Sequence, residues 1–272
     1  METKEKAKYE LIQDVTKGDL LSAYVEAPFD DGLEVLQEDD YRLISLQENL
    51  RLRIQEGYQA DISRFGNRVL ENAIYVPKRG RFLTRIPIID ENAREATQAQ
   101  RNGKDFYLNE NQVEECLTDC VELTSKFVPT NGFGEDEITK YAFGEHAENY
   151  GKFLKGYGIE EMPIWLAGIR NKPFARKVWF PWLGGGSGLH CGVGDLCGDD
   201  DGARGVRHNS GEAANFCEHS DEEKRAGIRE AQKISAGEIN VETYTPQQIL
   251  QTLNRLKLSG LEELILTNLR NQ

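Results

Sequence analysis

The chain has 272 residues, 46 of them acidic against 33 basic, for a net charge of −13. That length can bury a real core and suits one large domain or two smaller ones. The acidic balance argues against a nucleic-acid groove, which needs a positive footprint, and no apolar run reaches membrane-spanning length.

Residues 1–8 have no apolar run behind them, so no secretory signal is visible. Five cysteines without a framework suit a reducing interior, though a virion or leaderless surface protein would read the same, and localisation stays open. Residues 1–70 read as a mostly helical segment, with Leu43, Leu46, Leu50 and Ile54 at helical spacing. Ala73 to Val76 and Phe82 to Ile86 read as two strands around a basic turn. A helix is expected from Asp90, its N-cap, to Gln100, stopping near Gly103. Phe106 to Leu108 is a strand candidate. Asn109 then caps a helix with Val113, Cys116, Leu117, Cys120 and Val121 on one face. A single helix is expected from Gly134 to Leu154, its first acids suited to the positive end of the dipole. Met162 to Ala167, Phe174 to Trp179 and Ala203 to Arg207 are further strands. Ile249, Leu250, Leu253 and Leu256, then Leu261, Leu264, Ile265 and Leu269, predict a helical tail over 210–272. That tail is expected to dock on the body or to pair with a second copy in a homo-oligomer.

The segment 179–207 breaks this charged pattern. From Gly184 to Ala203 it holds no Glu, Lys, Gln, Met or Trp, and Gly, Asp, Cys and His crowd in. Long glycine-rich loops add little to a core and cost entropy to order, so function is expected here. A phosphate cradle is refused, because no Gly-Lys-[Ser/Thr] follows the glycines from Gly184 to Gly188. Asp195, Asp199, Asp200 and Asp201 offer hard oxygen ligands for calcium, but a twelve-residue calcium loop centred on Gly202 would start at Cys197 and end at His208. Zinc needs converging thiolates or imidazoles. Cys191, Cys197, Cys217 and His219 could supply them, at a spacing that matches no standard finger. A metal-dependent enzyme or metal module on residues 190–219 is therefore the alternative reading. Cys191 or Cys197 as nucleophile would need a base and an orienting group that the sequence does not place.

The pattern of Trp179, Leu183, Ser187-Gly188-Leu189, Leu196 and Ala203-Arg204-Gly205-Val206-Arg207 resembles the variable region of target proteins of diversity-generating retroelements. Archaeal and archaeal-virus members look closest. In that family, adenines of a template copy are randomised, typically at codons of two adenines and a pyrimidine. Glu, Lys, Gln, Met and Trp cannot result, and these are the five types missing here. The resemblance implies a C-type-lectin-like α+β domain at about 71–209, with helical segments on either side. It implies a non-catalytic protein that binds a protein or other surface ligand without a cofactor. Phe180, Pro181, Gly184, Gly185, Gly186, His190, Cys191, Val193, Asp195, Cys197, Asp199, Asp200 and Asp201 would be the outward, variable positions. Trp179, Leu183, Leu189 and Leu196 would anchor the loops inward, and Arg204, Gly205, Val206 and Arg207 would return into the sheet. Trp182 is unreachable by that chemistry and is expected to be fixed. Variable regions of the family often end their chains, whereas this chain continues to Gln272.

Overall fold

The structure, a computed structural model, describes residues 9–14, 16–185, 187–192, 195–198 and 202–208, within the compact unit Met1–Asn209. The expected tail over 210–272, and with it the expected homo-oligomer contact, lies outside the described residues.

β1 (Leu11–Gln13) and β2 (Leu20–Glu26) form an antiparallel hairpin. α1 (Phe29–Glu38) buries Phe29, Leu33 and Leu36, and β3 (Arg42–Leu43) follows. α2 (Leu46–Glu56) opens on a capping box: Glu48 N donates to Ser45 Oγ at 3.2 Å, and Ser45 N donates to the Glu48 carboxylate at 3.1 Å. α3 (Asp61–Arg64) is a single turn, and β4 (Asn67–Val76) pairs with β5 (Gly80–Thr84). Next come α4 (Ala93–Arg101), β6 (Phe106–Tyr107), α5 (Glu110–Cys116), β7 (Cys120–Glu122) and β8 (Phe127–Pro129). α6 (Glu137–Phe143) and α7 (Ala147–Gly156) precede β9 (Glu161–Trp165), β10 (Phe174–Phe180), β11 (Leu189–His190) and β12 (Gly202–His208).

The strands join one mixed sheet in the order β1-β2-β12-β4-β10-β11-β9-β8, with β3 on β12, β6 on β10, and β5 on β4 leading to β7. β4 is its spine. It sends Val69, Ala73 and Tyr75 into one hydrophobic cluster with α2, α6 and α7, and Ile74 and Val76 into a second with α1. The segment between β10 and β12 is anchored on both: Leu183, Leu189 and Cys191 in the first, Leu196 in the second.

Four expectations about elements are corrected. Residues 1–70 hold strands as well as helices, and β2 pairs with β12 from Glu26 opposite Gly202 to Leu20 opposite His208. Residue 70 falls inside β4. β2 was hidden because it is buried on both faces and so lacks the two-residue alternation that marks a half-exposed strand. Asp90 is no cap: Asn92 holds the N-cap position of α4, while Asp90 forms an ion pair with Lys177, whose side chain is fully buried. α5 ends at Cys116, and Cys120 and Val121 belong to β7. The expected helix over 134–154 is two helices, because Gly144 takes φ 59, outside the helical basin. Asp136 caps the first, accepting from Ile138 N at 3.0 Å and Thr139 N at 3.1 Å.

Candidate functional site

Between β10 and β12 the chain makes two excursions, and side chains outside them hold their backbone. Arg53 projects from the buried face of α2, one step beyond Leu46 and Leu50. Its Nη2 donates to Pro181 O at 2.8 Å and its Nε to Ile62 O at 3.1 Å, and its guanidinium lies 4.2 Å from the Phe180 ring centroid. Tyr75 on β4 donates to Cys191 O at 2.7 Å, and Arg176 on β10 donates to Gly192 O. Tyr150 on α7 shares a 3.0 Å hydrogen bond with Ser187. In the second excursion Arg68 on β4 reaches Asp195 O through Nε at 3.1 Å and Nη2 at 2.7 Å, and Gly198 O at 3.3 Å. Backbone contacts add to this: Cys191 N donates to Trp165 O at 2.8 Å, and Phe29 N to Leu196 O at 2.8 Å. Buried guanidinium groups are costly unless all their donors find acceptors, and loop carbonyls need donors in turn. The loop carbonyls and the guanidinium groups of Arg53 and Arg68 therefore satisfy each other, while Arg176 keeps its Nε unpaired among the described residues.

The return strand is fixed in the same way. Arg204 is fully buried; it pairs with Asp14, donates through Nε to Asn67 Oδ1 at 2.6 Å, and lies 5.0 Å from the Tyr24 ring. Leu36 and Tyr41 press against Gly205, leaving no room there for a side chain. Val206 is buried, and Arg207 donates to Asp39 O at 3.1 Å while covering the Tyr41 ring.

The residues expected to face outward divide. Gly184 and Asp195 are exposed, and His190 and Cys197 are half-buried. Gly185 lies in the short 3-10 turn Leu183–Gly185. Phe180, Pro181 and Cys191 are buried, which corrects the expectation that they point to solvent. Phe180 follows Phe174 and Val178 at the two-residue period of β10, and all three enter the first cluster. Trp179, expected to be an inward anchor, is only half-buried and packs against Gly66, where a Cβ would overlap its ring. Leu183, Leu189 and Leu196 are buried. Gly186, Val193, Asp199, Asp200, Asp201, Cys217 and His219 lie outside the described residues.

Sequence reading missed the residues that grip the loops: Arg53, Arg68, Tyr75, Tyr150 and Arg176. One signal was available, since Leu46, Leu50 and Arg53 share the i, i+4, i+7 stripe of α2 and an arginine on an apolar stripe must find acceptors indoors.

The chemistry left to the cysteines is limited. Burial pushes the Cys191 thiol far above its ordinary value, which disfavours the thiolate that a metal ligand or nucleophile requires. Burial and then the Asp195 charge also raise the Cys197 thiol, which donates to Thr97 O at 3.4 Å. Desolvation lowers the His190 pKa. Among the described residues no three His, Cys, Asp or Glu side chains converge as a metal site.

One solved structure is similar. A C-type lectin fold that accommodates massive sequence variation in Nanoarchaeota superimposes with a TM-score of 0.53, covering 75% of this chain and 100% of that one at 14% identity. The chain therefore has an α+β, C-type-lectin-like fold; at that identity the likeness is one of fold. No protein-family model matches the chain, and no curated protein matches it. No helix among the described residues is long and apolar enough to cross a membrane.

Proposed function

We propose that this protein is a non-catalytic binding module that displays a retroelement-diversified loop surface, between β10 and β12, to a protein or other surface ligand. The observation that carries the reading is the way the loop backbone is held. Arg53, Arg68, Tyr75 and Arg176 donate to main-chain carbonyls of the loops, contacts that do not depend on which side chains those carbonyl residues carry. A surface that must tolerate many side chains needs a backbone fixed from outside, and loops on a rigid scaffold are the usual place for recognition. The fold supports the same reading, since the similar structure accommodates massive sequence variation. The missing Glu, Lys, Gln, Met and Trp between 184 and 203 are the types that adenine randomisation cannot write.

Gly184, His190, Asp195 and Cys197 then belong to the variable face, with Gly186, Val193, Asp199, Asp200 and Asp201 assigned to it from sequence. The burial of Phe180, Pro181 and Cys191 moves these three to the scaffold. Interface hot spots favour Trp, Tyr and Arg, so a loop surface this rich in glycine binds weakly through its variable residues. Sequencing the DNA around the gene tests the proposal. The expected result is a near-copy of the codons for 179–207 that differs at adenines and lies beside a reverse-transcriptase gene. A complete flanking sequence with no such copy would overturn it.

A further inference from the structure

At the foot of the loops, where the β2 end of the sheet meets β10, a groove of about 190 Å³ opens between aromatic rings. Tyr24 and Phe65 stack at 5.8 Å between centroids on one side, and Trp179 and Trp182 line the other. Phe65 is 40% exposed and Trp182 is 49% exposed, values that are high for rings this large. Trp179 owes its position to Gly66, and the exposed Gly184 sits against the indole edge of Trp182. Two charged groups border the groove. Arg64 is already engaged, 3.9 Å from Asp61 and 5.9 Å from the Phe65 ring. Glu26 is the exposed last residue of β2, and its carboxylate makes no hydrogen bond or ion pair among the described residues.

We propose that this groove is a fixed subsite for a cationic side chain, a lysine or arginine presented by a protein ligand. Aromatic faces attract a cation through their ring quadrupoles, tryptophan most strongly, and a carboxylate at the rim completes the charge match. The net charge of −13 favours the approach of a basic partner. The groove is built mainly outside the diversified positions, since Tyr24, Glu26 and Phe65 precede the segment and tryptophan is not written by adenine randomisation. It would give every loop variant the same anchor, offsetting the weakness of a glycine-rich surface. The subsite depends on the ligand being a protein, but not on the loops being diversified.

The test is an NMR titration of the full-length ¹⁵N-labelled chain with Nα-acetyl-arginine amide and Nα-acetyl-lysine amide, with neutral Nα-acetyl-citrulline amide as control. The three tryptophan indole N–H resonances are assigned with Trp165→Phe and Trp182→Phe. The Trp179 and Trp182 signals are expected to shift saturably with the cationic amides while Trp165 stays still, and the Glu26→Gln variant is expected to bind about three- to tenfold more weakly. No saturable shift, equal binding of the citrulline amide, or undiminished affinity in Glu26→Gln would each overturn the proposal. Because the probes are small molecules, failure here leaves the flanking-DNA test of diversification untouched.

Discussion

Arg68 reaches Asp195 with two of its N–H groups at the carbonyl, while the exposed carboxylate of the same residue accepts only from Cys197 N, at 2.8 Å, among the described residues. The two residues should therefore respond very differently to substitution. Arg68→Met orphans the Asp195 and Gly198 carbonyls and is expected to lower the unfolding free energy by about 2–4 kcal/mol, whereas Asp195→Ala gives up one exposed hydrogen bond to Cys197 N and should cost no more than about 1 kcal/mol. Urea denaturation of both variants decides this, and equal losses would mean that the loop is held by its own side chains. Glu71 makes a separate prediction. Burial lifts its carboxyl from an ordinary 4.5 to about 7, against the opposing pull of the Leu46 N–H at 2.9 Å and the charge of Lys177. A folded value above the unfolded one means that folding favours the protonated form. That contribution is complete below about pH 4.5 and is lost as the pH rises through about 7. Relative to the wild type, Glu71→Gln should thus gain on the order of 2 kcal/mol between about pH 5 and about pH 8. A pH-independent difference in unfolding free energy would contradict it.

At the scale of elements, α7 lies so close to the turn at Thr130–Gly132 that a Cβ on Gly151 would overlap Thr130 O. Gly151→Ala is expected to cost about 1–3 kcal/mol of stability despite its better helix propensity, and a thermal midpoint at or above the wild-type value would refute the close approach. How far such elements were legible depended on the environment they fold into. α2 carries a helical apolar period, β4 and β5 flank a turn with Lys78 and Gly80 at positive φ, and β12 returns through Ala203 and Val206, so each was readable. β2 was not, because burial on both faces erased its alternation, and α6 and α7 read as one helix because only the short 3-10 turn Gly144–His146 divides them. The island between β10 and β12 announced itself by composition. Its buried members were assigned outward from the resemblance, although Phe180 follows Phe174 and Val178 at the two-residue period of β10 into the first cluster. The arginines that hold the loops were illegible because their partners are distant in the chain: Arg53 meets Pro181 across 128 positions and Arg68 meets Asp195 across 127.

For the whole molecule, the pairing of β2 with β12 ties the beginning of the described chain to its end. A fragment of residues 71–209, the expected lectin-like domain, lacks β2, α1, α2 and the first residues of β4, and with them Arg53 and Arg68. It should show no cooperative thermal transition by circular dichroism, while a fragment of residues 9–209 should; folding of the shorter one would restore the N-terminal stretch to a mere appendage. The scaffold and the buried anchors of the loops, not the exposed positions, fix the displayed surface. The most direct measurement is a displayed library with Gly184, His190, Asp195 and Cys197 randomised together, scored for protease resistance beside an equal library at Phe180, Leu183, Leu189 and Leu196. Most members of the first library should be as resistant as the parent chain, and most of the second should be cleaved. Similar survival in the two libraries would contradict the account.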